Sequence, residues 1–447
     1  MALLGPYFFV IYGWCNWISS QRESVPTFFW EWERKIPFVP IFIIPYMSID
    51  ALFAASVFLC KSRRELHTVA ARILFAISAS AICFLLFPLH YAFHRPVVEG
   101  WLAPVFAPLA ANDLPFNLAP SLHISLRAIL WAVYGRNLSG VLRSTIKTWF
   151  ILIGLSTLLV WQHHFVDVIA GFVMALITFY VYPDRTCPAG HRSIGDDLSR
   201  KLGFGYLGIA GILALLSPFV PYGLWLLWPA LSLGLVAAAY LGAGTAIFQK
   251  HHGCLSAAVE WALLPWLLTT AAIRRHWRHG PAFAELPGNV LFGRLLSSRE
   301  AKELIRQGVV AVIDLAAESN EARPFLEGTT YWQLSILDIT SPSAEAMVEA
   351  ATFIEEHCTR GKIYVHCALG VSRSAAIAAA WLLHSGASDS VEHAIATLQS
   401  LRPGVRLRSI ERATLHEFLN RRRPPAIPEP ETVPMCPSPP APQSINS

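Results

Sequence analysis

Hydrophobic residues are distributed very unevenly along this chain of 447 residues. Residues 1 to about 273 hold nearly all of the long apolar runs, whereas about 282–425 have the mixed pattern of a soluble α/β domain. A membrane-spanning helix needs about 20 apolar residues. The pattern therefore predicts spanning helices centred on 3–19, 37–59, 70–92, 122–135, 147–163, 164–182, 203–221 and 223–248.

A further apolar stretch at 255–272 is ambiguous because it contains Glu260. Basic residues mark cytoplasmic loops, and they follow the second, fourth and sixth predicted spans. This alternation puts the long loop 94–121 on the outer face. The arginines that begin at Arg274 argue for the inner face, so we expect 255–272 to be re-entrant or interfacial.

Composition agrees with a membrane protein that has a soluble part. Hydrophobic residues make up 54% of the chain and charged residues 15%, against about 25% charged in soluble domains. The net charge of +5 includes no basic stripe with aromatic residues, so no nucleic-acid partner is expected. The eight cysteines have no repeated spacing, and we expect neither a disulfide framework, nor a metal, nor another cofactor. The Pro-rich tail 424–447 is predicted to be disordered.

Three short polar segments interrupt the apolar half: "FHRP" (Phe93–Pro96), "APSLHIS" (Ala119–Ser125) and "STLLVWQHHFVDV" (Ser156–Val168). His163 and Asp167 are four residues apart and would share one face of a helix. The carboxylate could then orient the imidazole and make it a usable nucleophile. The alternative is that these residues are interfacial polar groups that satisfy helix ends.

Other residues of these segments could complete a phosphate site. His123, two residues after Ser121, could protonate a leaving oxygen. Arg95 could hold phosphate oxygens by bidentate contact. His164 is expected to be structural, although an exchange of roles with His163 stays open.

The three segments resemble the three motifs of the type 2 phosphatidic-acid phosphatase (lipid phosphate phosphatase) superfamily, over roughly residues 40–182. The resemblance implies a six-helix membrane core that works through a phosphohistidine. It implies roles for five residues, with His163 as nucleophile, Asp167 as its orienter, His123 as general acid, and Arg95 and Ser121 as phosphate contacts.

The sequence departs from that pattern at three positions. Pro88 stands where the family has a lysine, Thr157 replaces the arginine of the third motif, and Leu122 replaces a glycine. The "PSLH" variant is similar to the branch that includes inositol phosphorylceramide synthases. Phosphatase and phosphotransferase therefore both remain open for this half.

The second half contains a strand, a short loop and a helix in direct succession. "KIYVHC" (Lys362–Cys367) reads as a buried strand, and "SAAIAAAWLLHSG" (Ser374–Gly386) reads as a helix that stops at its final Ser-Gly. Backbone N–H groups of such a loop and the helix N-terminus face one point, which makes an anion site. Strands are also predicted at Val309–Leu315 and Tyr331–Ile339, the latter ending at Asp338.

The loop in "VHCALGVSRSA" has the residue types that thiolate chemistry on phosphate needs. A helix N-terminus and a guanidinium depress the pKa of a cysteine, so Cys367 can be a nucleophile. Gly370 allows backbone conformations that a side chain would block. Arg373 can grip two phosphate oxygens, and Ser374 can donate a hydrogen bond to the leaving sulfur. Asp338 is the best candidate for the general acid.

This half resembles the dual-specificity protein tyrosine phosphatase family over about 284–423. The resemblance implies a phosphocysteine mechanism with Cys367 as nucleophile, Arg373 as phosphate binder and Asp338 as general acid. We also assign to the phosphate site the remaining loop positions, namely His366, which orients the loop, Gly370, Ser372 and Ser374.

Three positions of the loop are uncharged: Ala368, Leu369 and Val371. Family members that act on polyphosphorylated inositol lipids tend to have lysine or arginine there, because a second phosphate needs a counter-charge. The loop therefore favours a monophosphate ester on a lipid, protein or sugar.

The sequence thus predicts a polytopic α-helical membrane domain, with a six-helix phosphatase core and two to three further spans, followed by a soluble α/β dual-specificity phosphatase domain. Its parts are the phosphatidic-acid phosphatase-like membrane domain 1–182, the additional spans and basic linker 183–280, the phosphatase domain 281–423, and the tail 424–447.

The whole chain resembles bacterial fusion proteins, which implies a multi-pass inner-membrane protein with a cytoplasmic phosphatase domain. We expect a membrane-bound phosphatase for lipid phosphates, in contact with membrane lipids. The alternatives are a membrane-anchored protein phosphatase, a lipid phosphotransferase with a regulatory phosphatase, and a pseudo-phosphatase that binds phosphorylated ligands.

Overall fold

The structure is a computed structural model that describes residues 3–112, 114–184, 193–277 and 280–422. The described residues form two compact units. The first takes in residues up to 184 together with 201–273, and the second takes in 193–200 together with residues from 274 onwards. The predicted tail at 424–447 lies outside the described residues.

Regular structure in the first unit is helical. Its α-helices, counting α8 and α11 that extend past its edges, are α1 (Leu4–Ser20), α2 (Ile43–Leu59), α3 (Arg63–Leu86), α4 (Ala103–Asn112), α5 (Leu122–Asn137), α6 (Gly140–Leu159), α7 (Phe165–Val181), α8 (Asp197–Leu216), α9 (Leu227–Ala238), α10 (Ala257–Ala262) and α11 (Leu264–His276). Short 3₁₀ segments lie at Glu31–Lys35, Pro40–Phe42, Gly100–Leu102, Gly223–Leu226 and Gly244–Phe248, and one π turn lies at Ala239–Ala243.

Among the described residues, five helical stretches are long and apolar enough to cross a membrane: Pro40–Leu59, Arg63–Leu86, Gly140–Leu159, Asp197–Leu216 and Gly223–Phe248. Three further predicted spans coincide with helices of 16 or 17 residues, namely α1, α5 and α7. The helices therefore fall where the hydrophobic pattern put them.

Helix boundaries differ from the predicted spans where polar side chains cap the helices. Helix α3 begins seven residues before position 70, because Ser62 Oγ accepts the N–H of Glu65 at 3.1 Å. Helix α8 begins at Asp197 rather than 203, because the backbone N–H of Ser199 donates to the Asp196 carboxylate at 2.9 Å.

Two stretches contain more regular structure than the sequence indicated. The predicted loop 94–121 includes helix α4. The ambiguous stretch 255–272 is divided between helices α10 and α11, with Leu263 between them. Neither helix is among the five long apolar stretches, and the re-entrant or interfacial position of this stretch stays a prediction.

The second unit is built around a five-stranded sheet. Its strands are β2 (Phe283–Leu286), β3 (Val290–Arg294), β4 (Val309–Ala316), β5 (Thr330–Ile336) and β7 (Lys362–Cys367), in the spatial order β2-β3-β7-β4-β5. Strand β2 is antiparallel to β3, and the other neighbours are parallel. A separate pair joins β1 (Ser193–Ile194) to β6 (Ser341–Pro342).

Helices cover both faces of this sheet. They are α12 (Ser298–Arg306), α13 (Arg323–Gly328), α14 (Ala344–His357), α15 (Arg373–His384), α16 (Val391–Leu401) and α17 (Ser409–Arg422). Because side chains alternate along a strand, Val365 of β7 packs with α14 and α15, whereas Tyr364 packs in the opposite core. The predicted end of α15 is confirmed, since it stops at His384 before Gly386 with φ +76°.

The carboxyl ends of β4, β5 and β7 lie at one edge of the sheet, where α/β folds form their sites. Strand β5 ends at Ile336, so Asp338 lies in the following turn and not at a strand end as predicted. The strand stops there because the Thr340 hydroxyl donates to the carbonyl of Leu337 at 2.8 Å, and Ile339 has φ +53°.

Candidate active site

The loop between β7 and α15 wraps around the sulfur of Cys367. The backbone N–H of Gly370 donates to Sγ at 3.2 Å, and Ser374 Oγ lies 3.4 Å from Sγ. The Cys367 side chain is buried, with 2% of its surface exposed. The sulfur therefore sits at the N-terminus of a 12-residue helix, where partial positive charge favours an anion.

Gly370 is required at its position for two reasons. Its φ of +72° is in the left-handed region, which side chains disfavour. A Cβ there would also lie 2.6 Å from the backbone carbonyl carbon of Gly293 in β3. The loop can approach the neighbouring strand closely because this residue has no side chain.

The environment of Cys367 lowers the pKa of its thiol. Burial alone would raise that pKa, but the positive charge of Arg373 and hydrogen bonds from Ser374 and Gly370 outweigh it. A thiolate is the nucleophilic form of cysteine. Cys367 is therefore prepared for attack at lower pH than an ordinary thiol.

Arg373 is held in place by a buried carboxylate. Its Nη1 and Nη2 donate to Glu318 Oε2 and Oε1 at 2.9 and 2.7 Å, and Nη1 also donates to the carbonyl of Ile336 at 2.8 Å. Burial opposes the charge, yet Glu318 and Asp338 hold the pKa of Arg373 well above its usual value. The guanidinium is thus charged and rigid.

Two groups near Arg373 are suited to a substrate. Its Nε is buried without a hydrogen-bond partner in the described part of the chain, which leaves a donor for a phosphate oxygen. Asp338 Oδ1 lies 3.1 Å from Nη2, and the Asp338 side chain is 50% exposed. A carboxyl group there can exchange a proton with a substrate bound at the loop.

Comparisons with known proteins address the same region. The family model "Dual specificity phosphatase, catalytic domain" matches residues 295–421. Residues 295–421 form a dual-specificity phosphatase domain.

Curated relatives agree with this assignment. The chain is 28% identical over 142 residues to dual specificity protein phosphatase 22 of Homo sapiens, covering 30% of this chain and 75% of that protein. It is 31% identical over 93 residues to dual specificity protein phosphatase 22-A of Danio rerio, covering 20% of this chain and 43% of that protein. The chain thus spans less than half of the zebrafish relative.

Solved structures also match about a third of the chain. Tk-PTP in the active form is 28% identical with a TM-score of 0.29, covering 32% of this chain and 98% of that one. PTPMT1 in complex with PI(5)P is 24% identical with a TM-score of 0.30, covering 32% of this chain and 96% of that one.

Two of the predicted phosphate contacts of the phosphatase domain have other partners. The Ser372 hydroxyl donates to the Glu411 carboxylate at 2.8 Å, and Arg408 binds the same carboxylate at 2.9 Å. His366 alternates with Cys367 along β7, and its Nε2 lies 2.6 Å from Glu321 Oε2. The orienting role of His366 stays a prediction.

A buried cluster behind the loop has the residue types of a metal site. One ligand atom from each of Asp314, Glu321 and His366 lies within 4.8 Å of the others. The Asp314 oxygens, however, already accept hydrogen bonds from the Tyr331 hydroxyl at 2.7 Å and from the N–H of Ala316 at 2.9 Å. Asp314 is therefore already held by hydrogen bonds of the phosphatase domain, and the expected absence of a metal stays a prediction.

A segment distant in sequence completes the surroundings of the phosphatase domain. Ser193 Oγ accepts the N–H of Leu337 at 3.2 Å, next to Asp338. Asp196 binds Arg408 at 3.1 Å, the arginine that also holds Glu411. Sequence reasoning missed Glu318, Glu321, Arg408, Glu411 and these two residues.

The first unit brings most of its predicted residues together. His163 Nδ1 lies 3.6 Å from Asp167 Oδ2. His123 and His163 line one cavity of about 460 Å³, and His163 and Arg95 line a second of about 450 Å³. The His123 ring stacks on Tyr46 with centroids 3.9 Å apart.

The remaining two residues of this group have different surroundings. Ser121 Oγ is buried and has no hydrogen-bond partner among the described residues. His164 Nδ1 lies 3.1 Å from the buried carboxylate of Glu33, and its Nε2 accepts the N–H of Ala92. Both ring nitrogens of His164 are occupied, which favours His163 as the reactive histidine of the pair.

Proposed function

We propose that this chain is a membrane-bound phosphatase that hydrolyses phosphomonoesters through a phosphocysteine at Cys367. The observation that carries the proposal is the pairing of a buried sulfur whose pKa is lowered with a rigid Arg373 that keeps an unused Nε donor. A nucleophile and a phosphate clamp at one helix N-terminus are the parts that phosphoryl transfer needs.

The reaction follows from these positions in two steps. The Cys367 thiolate attacks phosphorus, an S–P bond forms, and the P–O bond to the alcohol breaks while Asp338 gives that alcohol a proton. Water then attacks phosphorus and passes a proton to Asp338 as the S–P bond breaks. Ser374, 3.4 Å from the sulfur, stabilises the departing thiolate.

The uncharged positions of the loop favour a substrate with one phosphate, and we expect that substrate to be a lipid. Ala368, Leu369 and Val371 offer no charge to a second phosphate. We favour a phosphomonoester of a lipid because the same chain has five helical stretches that are long and apolar enough for a bilayer. A membrane-anchored protein phosphatase is the alternative.

The test uses the full chain in detergent micelles with phosphatidic acid and with a phosphotyrosine peptide. Cys367→Ser should abolish hydrolysis of the peptide and lower hydrolysis of phosphatidic acid, and Cys358→Ser, at another free cysteine of the same unit, should change neither. Faster turnover of the lipid supports a lipid phosphatase, and faster turnover of the peptide supports the alternative. Unchanged hydrolysis in Cys367→Ser would refute the proposal.

We further propose that the phosphatase domain lies on the cytoplasmic side of a bacterial inner membrane. Residues 193–200, which follow the sixth predicted span, belong to the same unit as the phosphatase domain. This supports an even number of crossings between 201 and 273, as the two long apolar helical stretches there would give. A reporter fusion at residue 280 that is active on the outer side would contradict this topology.

A second candidate function, a phosphohistidine site in the first unit, has separate support. His163 lies at the wall of both the cavity with His123 and the cavity with Arg95. A lipid phosphate at His163 would therefore lie next to the cavity with the acid and the cavity with the cation. The acceptor decides the reaction: transfer of the phosphoryl group to water is hydrolysis, and transfer to another alcohol is the reaction of a phosphotransferase, which the attached phosphatase domain would regulate.

This site is tested in a Cys367→Ser background. Residual turnover of phosphatidic acid that disappears in His163→Ala but persists in His67→Ala, an exposed histidine of α3, supports it. A labelled phosphomonoester of an added lipid alcohol identifies a transferase. Absence of any residual turnover or transfer would leave the first unit as an anchor.

A further inference from the structure

A third cavity of the first unit lies among helices α3, α5, α6, α7 and α10. Its volume of about 820 Å³ is within the range of ligand sites. Among the described residues, none lines both this cavity and either cavity that includes His163. We call it the basic cavity, and it is a different site from the one proposed around His163.

The basic cavity carries an excess of positive charge. Its charged lining residues are Arg72, Arg127, Arg136, Lys147 and Asp184, four positive and one negative. Asp184 Oδ1 is shared by Arg72 Nη1 at 3.0 Å and Arg136 Nη2 at 2.7 Å. Arg127 and Lys147, in contrast, form no ion pair with a carboxylate within the described ranges.

Arg127 lines the basic cavity, and most of its N–H donors have no partner among the described residues. Its Nη1 donates to the carbonyl of Phe150 at 3.0 Å, whereas its Nε is buried without a partner among the described residues. A guanidinium has five N–H donors. Arg127 lies in α5, one of the predicted spans, and ionisable side chains within membrane segments are costly and usually functional.

Helix α6 makes room for this guanidinium with a glycine. A Cβ at Gly154 would lie 2.8 Å from Arg127 Nη1 and 3.1 Å from Cζ. The Arg127 guanidinium therefore packs directly against helix α6.

The other walls of the basic cavity are largely aromatic and apolar. Trp131, Phe172 and Trp261 line it, and the Phe172 and Trp261 rings meet at 5.7 Å. Phe179 also lies under the Arg72 guanidinium at 4.5 Å. Basic pockets between membrane helices bind the anionic head groups of lipids, and these walls suit acyl chains.

We propose that the basic cavity binds a phosphate group carried by an amphiphile. Arg127 and Lys147 bind the phosphate oxygens, and the aromatic walls contact the apolar chains. The recognised chemistry is an anionic phosphate ester, which a phospholipid head group or a soluble phosphate ester could supply.

Native mass spectrometry of the full chain tests the proposal with an equimolar mixture of dioleoyl phosphatidylglycerol and dioleoyl phosphatidylcholine. We expect retention of the anionic lipid by the wild type and about tenfold weaker retention by Arg127→Gln and by Lys147→Gln. Arg143→Gln, an exposed arginine of α6 outside the cavity, is the matched control and should retain the lipid.

A second variant separates position from charge. Gly154→Ala keeps every charge but puts a methyl group where the guanidinium lies, so retention should also fall. Glycerol 3-phosphate serves as the soluble arm. If it displaces phosphatidylglycerol from the wild type, the phosphate is the recognised group.

Two results would overturn the proposal, namely equal retention of both lipids by the wild type and unchanged retention in Arg127→Gln and Lys147→Gln. Thermal unfolding of each variant is measured in parallel. If Arg127→Gln unfolds, Lys147→Gln decides the outcome because that side chain is exposed.

Discussion

Replacing Gly370 by alanine tests whether the close fit of the loop against strand β3 is needed for phosphatase activity. The added Cβ would lie 2.6 Å from the Gly293 carbonyl carbon, and ordinary contact begins at 3.4 Å, so the two must separate by about 0.8 Å. A misplacement of about 1 Å can cost about 10²-fold in rate. We therefore expect Gly370→Ala to lower kcat for p-nitrophenyl phosphate about 10²-fold.

Gly386 provides the matched control for this change. Its φ of +76° is close to that of Gly370, but a Cβ there would meet nothing within 4 Å. Both variants therefore carry the strain of a left-handed residue, about 1–2 kcal/mol, and only one displaces the loop. Gly386→Ala should keep kcat within about threefold of the wild type. Equal kcat values for the two variants would refute the steric argument.

Other predictions concern the partners of the loop. Glu318→Gln leaves Arg373 as a buried charge without its main partner, so local stability should fall by about 3 kcal/mol. Hydrogen exchange in α15 should accordingly be faster by about 10²-fold, and unchanged exchange would contradict the role of Glu318. Ser374→Ala removes a hydrogen bond that lowers the pKa of Cys367. The pH of half-maximal alkylation by iodoacetate should therefore move upward, and a downward shift or none would contradict that role. Asp338→Asn cannot donate a proton, so hydrolysis of alkyl phosphates should fall about 10²-fold. Hydrolysis of p-nitrophenyl phosphate, whose leaving group needs no proton, should fall less, and equal losses would exclude Asp338 as the acid.

The sequence predicted the parts of the phosphatase domain that depend on neighbouring residues. Strand β7, the loop and helix α15 are consecutive, so their hydrophobic pattern and the position of Gly370 were sufficient to predict all three. The end of β5 was misplaced by three residues, because the turn at Thr340 depends on a hydrogen bond that no apolar pattern encodes.

Partners brought together by the fold were beyond sequence reasoning. Glu318 is 55 residues from Arg373, and Ser193 is 144 residues from Leu337. For Glu318 a signal existed, since an acidic residue just after a buried parallel strand lies at the site edge. Ser193 and Asp196 follow an apolar helix and gave no such signal.

In the first unit, His163 and Asp167 lie near each other, but not on one face of a helix as predicted, because α7 begins at Phe165 and His163 precedes it. The same reasoning could not find Glu33, which holds His164 from 131 residues away. A short 3₁₀ segment carries Glu33, and nothing in its local sequence indicates a histidine partner.

The most direct test of the account is to trap the covalent intermediate on the full chain. Rapid acid quenching of wild-type protein with a ³²P-labelled phosphomonoester should label the peptide that contains Cys367. The label should be absent in Cys367→Ser and present in Cys358→Ser. Absence of label from the Cys367 peptide of the wild type, or full hydrolytic activity in Cys367→Ser, would contradict the phosphocysteine mechanism.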